Sequence, residues 1–182
     1  MKKMQTLFMD RDGVVNEQLV GDYVMDFSQF VYRPHFFEAM KMLRQRFQYM
    51  FLVTNQQCVG KGLCSMQTID RIHEQMQQQL AEHDCAFDAV YCCPHHAKDQ
   101  CSCRKPQPGM ALRAKQEYPE VDFTRSIMVG DSLSDMQFAV NAGLLPVHVG
   151  LVRADHEEIM KVAKYHFDDL LDFVHFLEQH NL

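Results

Sequence analysis

The chain has 182 residues, with 18 lysines and arginines against 24 aspartates and glutamates, a formal charge of −6 and a pI near 5.9. That is the length of one ordinary domain, and the acidic balance excludes a general binder of nucleic-acid backbones, which needs a basic face. No apolar run approaches the roughly 20 residues of a membrane span, and the first apolar stretch, Leu7 to Met9, is too short for a signal peptide. The expectation is a cytoplasmic, soluble monomer, one domain over residues 1–182, acting on a small molecule without nucleic-acid or membrane partners.

Leu7-Phe8-Met9 reads as a short buried strand that runs directly into Asp10-Arg11-Asp12-Gly13. Two carboxylates spaced i and i+2 on extended backbone face the same way, so Asp10 and Asp12 can both address one bound group. Crowding holds one of such a pair as the anion while the other can keep a proton and act as general acid. Gly13 lets the chain turn sharply behind them. Phe36, Ala39, Met40 and Leu43 then share one face of a helix. The strand Tyr49 to Val53 ends at Thr54-Asn55, whose hydroxyl and amide suit a phosphoryl oxygen. Ile69, Ile72, Met76 and Leu80 mark a second helix, and Phe87 to Cys92 a third strand.

Four of the seven cysteines fall between Cys92 and Cys103. Cys93-Pro94-His95 and Cys101-Ser102-Cys103 supply three thiolates and an imidazole, a closed tetrahedral set for Zn²⁺ and therefore a structural one. A group of free buried thiols is the alternative, but the polar Lys98-Asp99-Gln100 between them makes this a loop. Cys92 is assigned to the buried strand, and His96 to solvent or to support of the ligands. Arg104 and Lys105 follow at once, so the zinc would fix where this basic pair enters the site. Lys105 offers a compact positive charge, and Arg104 a place for a second anionic group.

A helix over 108–117 precedes the strand Ile127 to Val129, which runs into Gly130-Asp131. Asp131 is a third carboxylate, with Asp135 one helical turn beyond, and Mg²⁺ is the natural occupant of an all-oxygen site. Helix 133–142, strand Leu145 to Val149 and a last helix over about 168–179 complete the chain. Phe167, Leu170, Leu171, Val174 and Leu177 are expected to pack that last helix. Alternation of strands and helices implies an α/β fold with a mostly parallel sheet covered on both faces. Ligands bind such sheets at the carboxyl ends of the strands, and Asp10 with Asp12, Thr54 with Asn55, and Asp131 all fall on that edge.

Together, Asp10-Arg11-Asp12-Gly13-Val14, Val53-Thr54-Asn55-Gln56, Arg104-Lys105-Pro106 and Val129-Gly130-Asp131-Ser132-Leu133-Ser134-Asp135 resemble the four motifs of the haloacid dehalogenase (HAD) superfamily, over about residues 5–150. The resemblance implies a Rossmann-like three-layer sandwich, an aspartyl-phosphate intermediate and one Mg²⁺. It implies that Asp10 is nucleophile and Mg²⁺ ligand, and that Asp12 is the general acid/base and also binds Mg²⁺ through its main-chain carbonyl. Thr54 and Lys105 would hold the phosphoryl group, with Asn55 beside them, and Asp131 would complete the metal site. Within that superfamily an aspartate two residues after the nucleophile marks phosphatases rather than dehalogenases.

The cysteine loop resembles that of two groups of small HAD phosphatases without a cap, one acting on heptose bisphosphates and one on histidinol phosphate. The 41 residues between Asp12 and Thr54 fit an extended segment and a helix but not a cap. Asp22-Tyr23-Val24, the run Thr54 to Gly62, and Gln107-Pro108-Gly109-Met110 look closer to the heptose enzymes. The spacing from His95 to Cys101 looks like the histidinol-phosphate group, and Cys58 and Ser132 depart from the heptose pattern. The implied reaction is removal of the 7-phosphate from D-glycero-D-manno-heptose 1,7-bisphosphate. The alternatives are histidinol phosphate as substrate, or a zinc-organised scaffold protein without turnover.

Overall fold

Short strands that are apolar without alternation must be covered on both faces, and the computed structural model, which describes residues 5–151 and 156–180, has that arrangement. β1 (Thr6–Met9), β2 (Tyr49–Asn55), β3 (Ala89–Cys93), β4 (Ser126–Gly130), β5 (Leu145–Val149) and β6 (Tyr165–Phe167) form one sheet in the order β3-β2-β1-β4-β5-β6. Every neighbouring pair is parallel. The chain moves outward from β1 on one side and then returns to its other side, so the topological switch lies between β1 and β4.

Successive side chains of a strand leave opposite faces of the sheet. Leu7, Met9, Met50, Leu52, Ile127 and Val129 therefore enter one core, against α1 (Phe36–Arg46), α3 (Met66–Glu82) and α7 (Leu170–His180). Phe8, Phe51, Val53 and Met128 enter the other, against α4 (Gly109–Glu117) and α5 (Leu133–Ala142). The result is the expected three-layer α/β sandwich. No cap interrupts it: residues between β1 and α1 form a loop with a 3-10 turn at Phe27–Gln29, capped by Asp26.

Three details differ from the sequence expectation. Phe167 belongs to β6, not to the last helix, because Tyr165–Phe167 pair with Val147–Val149; three residues are too few to display a period. α6 (His156–Val162) precedes β6 where no element was expected. Phe87 lies outside β3, its backbone N–H and C=O both held by the Gln77 side chain instead of a neighbouring strand. Among the described residues, no helix is long and apolar enough to cross a membrane.

Directly after β2, the short α2 (Gln57–Gly60) brings its last residue against the cysteine loop, where Gly60 N donates to Pro94 O at 2.8 Å. A Cβ at Gly60 would overlap the backbone of His96 and Pro94. Gly60→Ala is thus expected to destabilise the fold by about 1–3 kcal/mol, lowering the thermal midpoint by roughly 2–10 °C. An unchanged melting curve would contradict this close backbone contact.

Candidate active site

The turn after β1 carries Asp10, the end of β2 carries Thr54 and Asn55, and the turn after β4 carries Asp131; parallel pairing brings all three turns to one edge. Lys105 arrives from the cysteine loop. Asn55 clamps it there, accepting from Lys105 N at 3.0 Å and donating from Nδ2 to Lys105 O at 3.2 Å. Asn55 lines the cavity as expected, but its amide is largely committed to this clamp. The buried Lys105 ammonium then meets Asp10 Oδ1 at 2.6 Å, Asp135 Oδ1 at 2.6 Å and Val53 O at 2.9 Å.

Asp135 is placed by a reciprocal cap at the start of α5: Ser132 N and Oγ donate to its Oδ2, and Asp135 N donates to Ser132 Oγ. This serine followed three residues later by an acid is a capping box that was not read from the sequence. Carboxylate oxygens of Asp10, Asp131 and Asp135 lie within 4.8 Å of one another. Burial raises the Asp10 carboxyl well above its ordinary value, and Asp135, Asp131 and Asp12 add to the rise against the opposing pull of Lys105. Burial alone would lower Lys105, but Asp10 and Asp135 reverse that, so the ammonium keeps its proton.

Asp12 faces a different environment. Its Oδ1 accepts from Arg11 Nη2 at 3.0 Å and Asn16 Nδ2 at 3.0 Å, and its Oδ2 from Gln56 Nε2 at 2.8 Å. Burial would raise this carboxyl, yet Arg11 and the hydrogen bonds from Asn16, Arg11 and Gln56 bring it below its ordinary value. In this state Asp10 is therefore pushed toward protonation and Asp12 toward ionisation, the reverse of the roles expected from two crowded aspartates. The difference comes from their neighbours; a cation beside Asp10 would bring it back down. Gln56 also donates to Thr54 Oγ1 at 2.8 Å, leaving the buried Thr54 hydroxyl its own proton to donate. Arg11, Asn16 and Gln56 are the residues the sequence reading passed over.

The carboxylates of Asp10, Asp131 and Asp135 converge beside the Lys105 ammonium, and hard oxygen donors of this kind suit a divalent cation. Gly13 allows the approach, since a Cβ there would overlap Asp131 Oδ2, and its φ of +92° also favours glycine. The side chain of Asp12 is not part of this group.

In the cysteine loop, Cys93, Cys101 and Cys103 bring their sulfurs to 3.1–3.5 Å of one another. His95 Nδ1 lies 3.6 Å from Cys93 and 3.2 Å from Cys103. These four atoms converge as ligands around one soft metal would. Cys92 sits in β3, while half-buried His96 is occupied as a cap, its Nδ1 accepting from Lys98 N. Arg104, next to Lys105, lines the active-site cavity with Asp22, Tyr23 and Asn55, and its Nη1 is buried with no partner in the protein.

Residues 102–173 match the HAD-hydrolase-like family model. The chain is 42% identical over 167 residues to the D-glycero-α-D-manno-heptose-1,7-bisphosphate 7-phosphatase of Mycobacterium tuberculosis, covering 92% of this chain and 88% of that one. The chain belongs to the HAD phosphatases. It is also 34% identical to the corresponding β-anomer phosphatase of Vibrio cholerae, over 94% and 95% of the two chains. The crystal structure of the D,D-heptose 1,7-bisphosphate phosphatase of Bordetella bronchiseptica, complexed with magnesium and phosphate, superposes with a TM-score of 0.84 at 31% identity, over 97% of this chain and 99% of that one. This protein is a hydrolase of phosphoric monoesters, and the inactive-scaffold alternative falls away.

Replacing Lys105 with Met, close in size, leaves the buried Asp10 and Asp135 carboxylates without the ammonium they share. Lys105→Met is expected to lose about 3–5 kcal/mol of stability in a chelator, with part of the loss recovered on adding Mg²⁺. Equal melting temperatures for the parent and the variant in chelator would contradict this charge balance.

Proposed function

We propose that this chain removes the 7-phosphate of D-glycero-D-manno-heptose 1,7-bisphosphate, with Mg²⁺ at Asp10, Asp131 and the Asp12 carbonyl, and with the phosphoryl group carried transiently on Asp10. The observation that carries the mechanism is the Lys105 ammonium seated 2.6 Å from Asp10 inside a carboxylate cluster at the sheet edge. An Asp10 oxygen attacks phosphorus as the bond to the sugar oxygen breaks, and Asp12, whose neighbours favour its ionised form so that it must first take up a proton from solvent, passes that proton to the departing oxygen. Water then attacks the phosphorus while Asp12 takes its proton, releasing inorganic phosphate and restoring Asp10. Lys105 and the Thr54 hydroxyl hold the phosphoryl oxygens as charge spreads over them. When bound, Mg²⁺ supplies further neutralisation of that charge and of the carboxylates.

Two features support the bisphosphate. Relatives bearing that activity cover most of the chain, and Arg104 presents a buried, unpaired N–H edge beside the reaction centre, suited to a second phosphate. The cysteine and histidine set is assigned to structural Zn²⁺, which would fix the loop that delivers Arg104 and Lys105.

Asp10→Asn is expected to lower kcat/KM for heptose 1,7-bisphosphate by about 10⁴-fold or more, and full activity in that variant would sink the mechanism. Arg104→Ala is expected to raise KM for the bisphosphate roughly 10–100-fold, with little change for a 7-phosphate lacking the 1-phosphate. Equal losses on both substrates, or higher efficiency on histidinol phosphate, would overturn the substrate assignment. Metal analysis should find about one Zn²⁺ per chain, lost in Cys101→Ser; a folded, zinc-free parent protein would contradict the structural site.

A further inference from the structure

Arg11 is wholly buried between the two catalytic aspartates, although neither mechanistic step needs a guanidinium there. Four of its five N–H groups are directed. Nη2 reaches Asp12 Oδ1 at 3.0 Å and Gln56 Oε1 at 3.1 Å, Nε lies 3.3 Å from Asp12 Oδ1, and Nη1 reaches Nε2 of His73 at 3.2 Å. The Phe30 ring lies 5.9 Å from the guanidinium carbon. An arginine in such a place must be held in register by groups other than the one it serves, because a swinging guanidinium would swing Asp12 with it.

His73 is that anchor. It sits on the buried stripe of α3, 6% exposed, and has no place in the cavity itself. Guanidinium nitrogens only donate, so the Nε2 lone pair must accept and the ring proton resides on Nδ1. Burial, reinforced by the Arg11 charge, pushes His73 down to about 3, which keeps the imidazole neutral and the lone pair available at any working pH. Asp12 Oδ1 is thereby fixed by Arg11 and Asn16, whereas Oδ2 carries the single bond from Gln56 and belongs to a side chain still 26% exposed at the cavity. Oδ2 is the oxygen with room for a proton.

We propose that Arg11, locked by His73 of α3, is a positioning residue that aims Asp12 Oδ2 at the leaving oxygen. This rests on the general acid/base role given to Asp12 under the proposed function. The geometry links a helix that contributes nothing to the cavity with the proton transfer inside it. Its signature is selective: a poorly aimed acid harms esters whose leaving group needs a proton, and spares those whose leaving group departs as a stable anion.

The test compares kcat/KM, with Mg²⁺, for 4-nitrophenyl phosphate and for heptose 1,7-bisphosphate. His73→Leu and Arg11→Lys are each expected to lose about 10–100-fold on the alkyl ester and less than about 3-fold on the aryl ester. His73→Gln, which keeps an acceptor, should restore most of the alkyl rate. Arg11→Lys retains the charge and so stands as the second variant if His73→Leu fails to fold. Asp12→Asn should show the same selective loss, larger. If Asp12→Asn is selective but the Arg11 and His73 variants lose both substrates equally, or neither, the positioning role is overturned while the Asp12 assignment stands. If Asp12→Asn shows no selectivity, the acid/base reading itself fails and the inference falls with it.

Discussion

The active site depends on one buried cation. Lys105 lies between Asp10 and Asp135 at 2.6 Å from each, almost fully withdrawn from solvent. Desolvating an ammonium costs several kcal/mol, and the cost is offset only when opposite charges and hydrogen bonds are held in place around it. Asp135 is held by the capping box of α5, Lys105 by the Asn55 clamp, and Asp10 by its amide, which donates to Val129 O at 2.9 Å. Each of these supports belongs to a different strand end, so the position of the nucleophile is coupled to the register of the whole central sheet.

The same arrangement gathers oxygen donors that suit a divalent cation. Asp10 is raised by burial and by its acidic neighbours Asp135 and Asp131. Asp12, two residues away, is enclosed by donors and lowered instead. Two aspartates of one short segment thus differ in protonation through their surroundings alone; without a cation the nucleophile is the one pushed toward its neutral form, and a cation beside Asp10 would restore its charge. The cysteine loop contributes at a distance. The Gly60 contact holds the segment from which Arg104 and Lys105 enter, and its four converging cysteine and histidine side chains would fix it further around a metal.

The fold was legible from unbroken apolar runs such as Leu7-Phe8-Met9 and from the one-sided helix at Ile69, Ile72, Met76 and Leu80. The convergence of Asp10, Thr54 and Asp131 was legible because a parallel sheet collects residues at strand ends, whatever their separation in the chain, whereas Lys105, on a loop, was singled out by the resemblance alone. Phe167 was misplaced because a three-residue edge strand has no period to read. Arg11, Gln56 and His73 escaped for another reason. Their roles depend on contacts across 45 and 62 positions, between side chains whose direction is set only after α3 has packed. Asp135 was visible as a candidate ligand, but its pairing with Lys105 is a fact of three dimensions.

The central claim is that a phosphoryl group passes through Asp10, and the most direct measurement is rapid acid quench of a single turnover followed by peptide mass analysis. The account predicts a phosphoryl adduct on the peptide containing Asp10, formed before inorganic phosphate appears and absent in Asp10→Asn. Turnover of the substrate with no adduct, or with the adduct on another residue, would contradict it.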